Sequence, residues 1–380
     1  MTKPATVHVP PGILRWGRDR AKADLTDAAA KCGHAVADLT AWEEGQSDPP
    51  LTALRELAAF YQLPLAAFLL TKPKDEPTPT VDLRRLAGVD NPITNRSLAL
   101  ALRRATGLQV LAAELQEALD AAPFAVEEST PDAEALANRE RALLGVTESM
   151  QLSWREDQAF RRWREAIERR GVLVMQSPLG DSDVRAFSLR GDPPVIVVNR
   201  GDWVRAKVFS LAHEFGHVAI GEGGICIPGA MGATGIEAFC NHFADALLIP
   251  SSALLKDRDV RNIIEGVALS DAVIKRIANR YKVSPAVVWY RLKQTKVIGQ
   301  ATFDRQWTNW ATWRPPAEDG GGPSTTAQNA IRDYGVALLD LMLRASKKGL
   351  VSTTDVSQYL GVGSDSIPSI EMEVASRLTP

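Results

Sequence analysis

His213-Glu214-Phe215-Gly216-His217 sets two imidazoles four residues apart with a carboxylate beside the first. The surrounding residues, Val208, Phe209, Leu211, Ala212, Phe215, Val218 and Ala219, suit a buried helix. On a helix this spacing puts both rings one turn apart on one face, where both reach a single Zn²⁺ at ~2.0–2.1 Å. Glu214 is then directed toward a water rather than the ion. Zinc brings the pKa of such a water toward ~7, and a carboxylate can take its proton as it attacks a carbonyl. Two helical histidines and the intervening Glu are the minimum for metal-assisted amide hydrolysis. The alternative is a hydrogen-bonded pair of core histidines, but polar rings buried on an apolar helix need partners. The chain has only five histidines (His8, His34, His213, His217 and His242), and three fall between positions 213 and 242.

A catalytic zinc takes three protein ligands and leaves one position for water. The longer HExxHxxGxxH form fails, since Ile220 stands where Gly should and Gly223-Gly224 where the third His should. The next helical segment, bracketed by Gly235 and Pro250, offers Glu237, with Asn241 one turn later on its face. A His₂Glu set follows, with Asn241 orienting a ligand from behind. The alternative for Glu237 is an ordinary acid at an exposed helix N-terminus. His242 lies off the Glu237 face and is either a donor to a developing oxyanion or a packing residue. Cys226 and Cys240 open another reading, a closed structural zinc site with His213 and His217. Cys226, in the Gly-rich GEGGICIPGAMGATG, could also oxidise or coordinate.

The elements that must position these residues read as mainly helical. Residues 10 to 70 hold five short helices, Ile13–Ala23, Leu25–Cys32, Ala35–Glu44, Leu51–Tyr61 and Pro64–Leu70, with Asp24 as a cap and Gly33 and Gly45 as stops. TKPKDEPTPT (71–80) cannot pack and is a linker. Helices are expected over Ser97–Leu119, Asp132–Leu144 and Asp157–Arg170, then strands at GVLVM (171–175), VRAFSL (184–189) and PVIVVN (194–199). The chemistry-bearing helices, Val204–Ile220 and Ile236–Leu248, come next, with more helix to about 295. After a second break at AEDGGGPSTT (317–326), one long helix, Ala330–Lys347, is followed by a short one after Ser352 and a poorly patterned tail. WTNWATW (307–313) reads as a packing seam between helices or an interaction patch. The fold class is α+β, mainly helical with a small sheet. The segments are 1–70, 71–149, 150–300 and 301–380.

Composition bounds the rest. Forty-four Lys and Arg against 46 Asp and Glu exclude a strongly basic, nucleic-acid-coating protein. Met1 to Gly12 has no signal-peptide core, and no window approaches the ~18 apolar residues of a membrane helix. Three scattered cysteines agree with a reducing compartment. The expectation is a cytoplasmic protein that makes no membrane contact.

LAHEFGHVAI (211–220) and EAFCNHFADALLIP (237–250) resemble the two motifs of the ImmA/IrrE family of zinc metallopeptidases, with Glu237, Asn241, Phe243, Ala244 and Pro250 matching and Cys240 replacing the usual Ala. The similarity covers roughly 150 to 295. It implies a zincin-like domain with His213, His217 and Glu237 on zinc, Mn²⁺ being the second candidate ion, and Glu214 as general base. It also implies a protein substrate, a DNA-binding repressor whose cleavage releases genes during stress or mobile-element activation.

Residues 10 to 70 resemble an Xre-type, lambda-repressor-like helix-turn-helix. Leu39, Trp42, Glu43 and Gly45 stand six, nine, ten and twelve residues beyond Gly33, as in that framework. Its reading positions would be Val36, Ala37, Thr40 and Ala41, none of them the Arg, Lys, Asn or Gln that direct base readout uses. Arg15 and Arg18 could meet phosphates or form a solvated face. The domain therefore binds DNA or docks a protein. A substrate peptide is expected along an edge strand, with Val184–Leu189 the candidate. A homodimer is one open assembly. The rival from another class is a non-enzymatic regulator or antitoxin-like protein with a structural metal or none.

Overall fold

A computed structural model describes residues 6–71, 95–121, 124, 130, 132–180, 184–221, 224–226, 235–311 and 324–378. The expected linker from 72 onward, residues 227–234 of the Gly-rich loop, residues 317–323 of the second break, Trp313, and the side chains of Cys226, Trp307 and Trp310 lie outside the described residues. The chain divides into two compact units, the first comprising residues 1–79 and 86–104 with 180–182, the second nearly all the rest. Among the described residues, no helix is long and apolar enough to cross a membrane.

In the first unit, α1 (Ile13–Arg20), α2 (Leu25–Cys32), α3 (Val36–Glu43) and α4 (Leu51–Tyr61) enclose Leu14, Leu39, Leu54, Leu57 and Tyr61. Asp24 caps α2 by accepting from the Thr26 N–H. Gly33 ends it at φ 74°, with the amides of Gly33 and His34 turned back to Ala30 and Ala29. The expected fifth helix is a 3₁₀ turn, Leu65–Leu69. It is bounded by Pro64 before it and by extended Leu70 after it.

α5 (Arg96–Ala118) runs across the division at Arg104. The second unit continues with α6 (Ala133–Leu143), α7 (Glu148–Ser153), α8 (Glu156–Glu168), α9 (Val204–Ala219), α10 (Ile236–Leu248), α11 (Ser251–Leu254), α12 (Arg258–Ile264), α13 (Asp271–Tyr281), α14 (Pro285–Gln294), α15 (Gln300–Ala311), α16 (Thr326–Lys347), α17 (Thr353–Leu360) and α18 (Ile367–Leu378). Its sheet holds β1 (Leu173–Ser177), β2 (Ala186–Leu189), β3 (Val195–Asn199) and β4 (Gly224–Cys226) in the order β1-β3-β2-β4. β1 and β3 are parallel, while β2 runs antiparallel to both β3 and β4.

This order corrects the expected substrate strand. β2 is enclosed between two partners, because the three residues Gly224–Cys226 pair along its outer side. α9 lies against β2 and β3 on one side and α8 and α10 on others, so Leu211, Phe215, Val218, Phe243 and Leu247 share one core with Ile196 and Val198.

The C-terminal region also departs from expectation. α16 is broken at Gly335 (φ 81°, ψ 167°) and packs on β1. The break frees backbone groups that the earlier elements satisfy. Arg164 donates to the carbonyls of Ile331 (3.0 Å), Arg332 (2.8 Å) and Val174, and Gln176 to Arg332 (3.0 Å). Glu168 Oε2 accepts from the Val336 N–H at 3.2 Å. A Cβ at position 335 would collide with the Glu168 carboxylate, so both the positive φ and the close approach require glycine. The expected tail is α18, anchored by Ile367, Ile370 and Val374 at helical spacing.

Candidate metal centre

α9 and α10 cross closely because Gly216 faces α10. A Cβ there would stand 2.9 Å from the Phe243 ring and 3.4 Å from Cys240 Cα. The apolar faces of both helices bury this crossing, and they carry His213, Glu214 and His217 down with them, to 1, 0 and 2 % exposure. Glu237 sits in the first turn of α10, opposite the two rings, with its side chain half exposed.

The two ring nitrogens and the Glu237 carboxylate face one another across one small space. His213 Nε2 and His217 Nε2 are 3.2 Å apart, and each stands 3.3 Å from a different oxygen of Glu237. An ion bound tetrahedrally at ~2.0–2.1 Å has donor-to-donor edges of roughly 3.3–3.4 Å, and the nitrogen-to-nitrogen distance and the contact of each nitrogen with its own carboxylate oxygen are close to that length. Asn241 Oδ1 lies 3.0 Å from His213 Nδ1. As an acceptor it holds the proton on Nδ1 and leaves the Nε2 lone pair facing that space. Nδ1 of buried His217 has no oxygen or nitrogen partner, and the buried thiol of Cys240 is a neighbour of this ring.

Electrostatics follow from the crowding. Burial raises the Glu237 carboxyl, but the two imidazoles outweigh it and hold the group well below the ordinary carboxylate value. Burial disfavours the His217 imidazolium, while Cys240 and Glu237 more than reverse that and raise its pKa. Glu214 is outside the donor set. Burial pushes its carboxyl up against the opposing pull of His217, His213 and Ser188. Ser188 Oγ donates to Glu214 Oε2 at 2.7 Å, and Oε1 has no hydrogen-bond partner.

The structure therefore brings together His213, Glu214, His217, Glu237 and Asn241. Among the described residues this is the one cluster of three or more His, Cys, Asp or Glu donors, and Cys240 is outside it. His242 is not brought to the donor set. Five residues of helix carry it about 140° around from Glu237, and its Nε2 faces Glu134 at 3.7 Å. Glu134 in turn holds Arg291 and Ser251.

In the first unit, Val36 and Ala37 are exposed, Ala41 is half-buried, and the Thr40 hydroxyl donates to the Val36 carbonyl. Arg18 is turned inward: its guanidinium pairs with both oxygens of buried Glu43, at 2.7 and 3.1 Å, and Arg15 stands 3.5 Å from the same carboxylate. A phosphate contact by Arg18 would have to compete with that internal pair.

Sequence reasoning missed Ser188 and Gly216. Their traces are a lone hydroxyl in the otherwise apolar AFSL strand and a small residue between the two histidines.

Residues 167–293 match the family model of the IrrE N-terminal-like domain, Peptidase_M78, a metallopeptidase family. The match takes in all four strands and both helices of the centre. No curated protein matches the chain.

Proposed function

We propose that this protein is a zinc-dependent endopeptidase whose substrate is another protein, a DNA-binding repressor being the class that the sequence resemblance implies. The observation that carries this reading is the convergence of His213, His217 and Glu237: the two Nε2 atoms are 3.2 Å apart and each stands 3.3 Å from one oxygen of the Glu237 carboxylate, spacings near those around a tetrahedral zinc ion. Bound there, zinc would polarise the scissile carbonyl and acidify water. The remaining work falls to side chains of the chain itself. Asn241 keeps His213 in the tautomer that presents Nε2. Glu214 takes the proton of the attacking water at Oε1 and returns it to the departing amine. The apolar packing of α9 against α10 keeps bulk water from Glu214. With β2 enclosed, β4 is the strand whose outer side a substrate backbone would extend.

The test is incubation of the full chain, with and without Zn²⁺ or Mn²⁺, with the repressor encoded beside its gene. A discrete fragment that requires metal is expected. The Glu214→Gln variant should retain zinc and lose cleavage by about 10²-fold or more. Undiminished cleavage by that variant removes Glu214 from the mechanism. A mobility-shift measurement at stated low salt addresses the DNA-binding reading of the N-terminal helices, and duplex that stays free removes it.

A further inference from the structure

We infer that Ser188 is the positioning residue of the general base, an inference that rests on the peptidase reading above. Glu214 leaves α9 toward β2, and Ser188 meets it there with the hydrogen bond of 2.7 Å described above. Both residues are fully buried. β2 is held on two sides, Ser188 standing opposite Ile196 on β3 and opposite Gly224 on β4. The hydroxyl is therefore mounted on an element that cannot shift without breaking two ladders, whereas Glu214 hangs on a side chain with three rotatable bonds.

The pairing also divides the labour of the carboxylate. Ser188 engages Oε2, so Oε1 is the oxygen left to receive a proton. A base needs both a fixed direction and an available lone pair, and this arrangement supplies both from one strand residue. A serine in AFSL whose only role was to fill space would be replaceable by any residue of its size. One that holds the base would be replaceable only by a hydroxyl.

The test uses the full-length, zinc-loaded protein with acetohydroxamic acid as probe. This acid binds a catalytic zinc as its anion and hands its proton to the adjacent carboxylate, so its affinity reads the base without a known substrate. Zinc stoichiometry and affinity are measured alongside. Ser188→Ala and Ser188→Val should keep zinc affinity and bind acetohydroxamate about 10–100-fold more weakly. Ser188→Thr, which matches Val in shape and restores the hydroxyl, should return to within about threefold of wild type. Because Thr and Val have the same shape in the strand, their difference isolates the hydroxyl even where the Ala variant is poorly folded. Equal probe affinity in the Thr and Val variants, with zinc retained, overturns the role of Ser188 and leaves the peptidase reading standing. Failure of the wild-type protein to hold zinc through His213, His217 and Glu237 overturns that reading, and this inference with it.

Discussion

Glu43 in the first unit and Glu237 in the second are each flanked by two nitrogen-bearing side chains, yet the two clusters close differently. Around Glu43 the cation is part of the chain: the Arg18 guanidinium covers both oxygens, and Arg15 adds to its charge. Around Glu237 the two nearest nitrogens face each other as well as the carboxylate, and Asn241 has already claimed the His213 proton on the far side of the ring. The His213 Nε2 lone pair therefore faces the carboxylate, and a shared positive charge, whether a proton on His217 or a bound cation, draws the three groups together. One cluster is complete as a bond between helices, whereas the other is a set of donors that could hold a metal ion. Asp245 on α10 is a third solution. It is buried, with Gln294 as a weak partner at 3.4 Å, and burial raises its pKa to about 8, so a proton supplies what a cation does elsewhere.

The contrast would break most visibly in metal content. His217→Ala should reduce zinc from one per chain to none by elemental analysis, and a variant that keeps full zinc would mean that these donors do not hold the ion. Glu43→Ala leaves Arg18 with only the exposed Asp19 carboxylate, at 3.2 Å, as counter-charge. The melting transition of the first unit, followed through the fluorescence of Trp16 and Trp42, should lose about 3 kcal/mol while zinc content stays the same. A smaller effect is expected from Asn241→Ala: zinc still binds, but about 10–100-fold more weakly by competition with a chelator, since His213 loses its fixed tautomer.

The finest distinction is the Asp245 proton. Its folded-state pKa of about 8 lies above the ordinary 3.8, so the stability linked to it is complete below about pH 4 and declines as pH rises toward 8. Asp245→Asn should remove that slope, so its stability relative to wild type should rise steadily between pH 5 and pH 8 in urea unfolding. Parallel curves would show that the carboxyl ionises freely.

The helices of the centre were legible because two signals coincide in them. The HExxH spacing and the apolar pattern demand the same period, and the bounds Val204–Ala219 and Ile236–Leu248 fall within a residue of expectation. The place of Glu237 opposite the two rings was reachable for the same reason. The strands were legible from β-branched content, but β4 was not: three residues in a Gly-rich stretch carry no alternation, and overlooking it made β2 look like an edge. Pairing between segments far apart in sequence also hid Ser188, whose role exists only where β2 meets α9. The inward turn of Arg18 was hidden likewise, since an arginine on a short helix reads the same whether it faces solvent or a buried carboxylate. The expected helix Ala330–Lys347 ran unbroken through Gly335 because the groups that demand a break, Arg164 and Glu168, lie far away in the sequence.

That break ties the last helices to the peptidase-like core more firmly than an appendage requires. Arg164 and Glu168 are paired with each other at 3.0 Å, and each also bonds to backbone released at Gly335. A chain ending before α16 would leave an arginine and a glutamate in apolar surroundings with part of their bonding undone. Gain or loss of this extension among related proteins should therefore travel with changes at positions 164 and 168, as one inherited package rather than as an interchangeable tail.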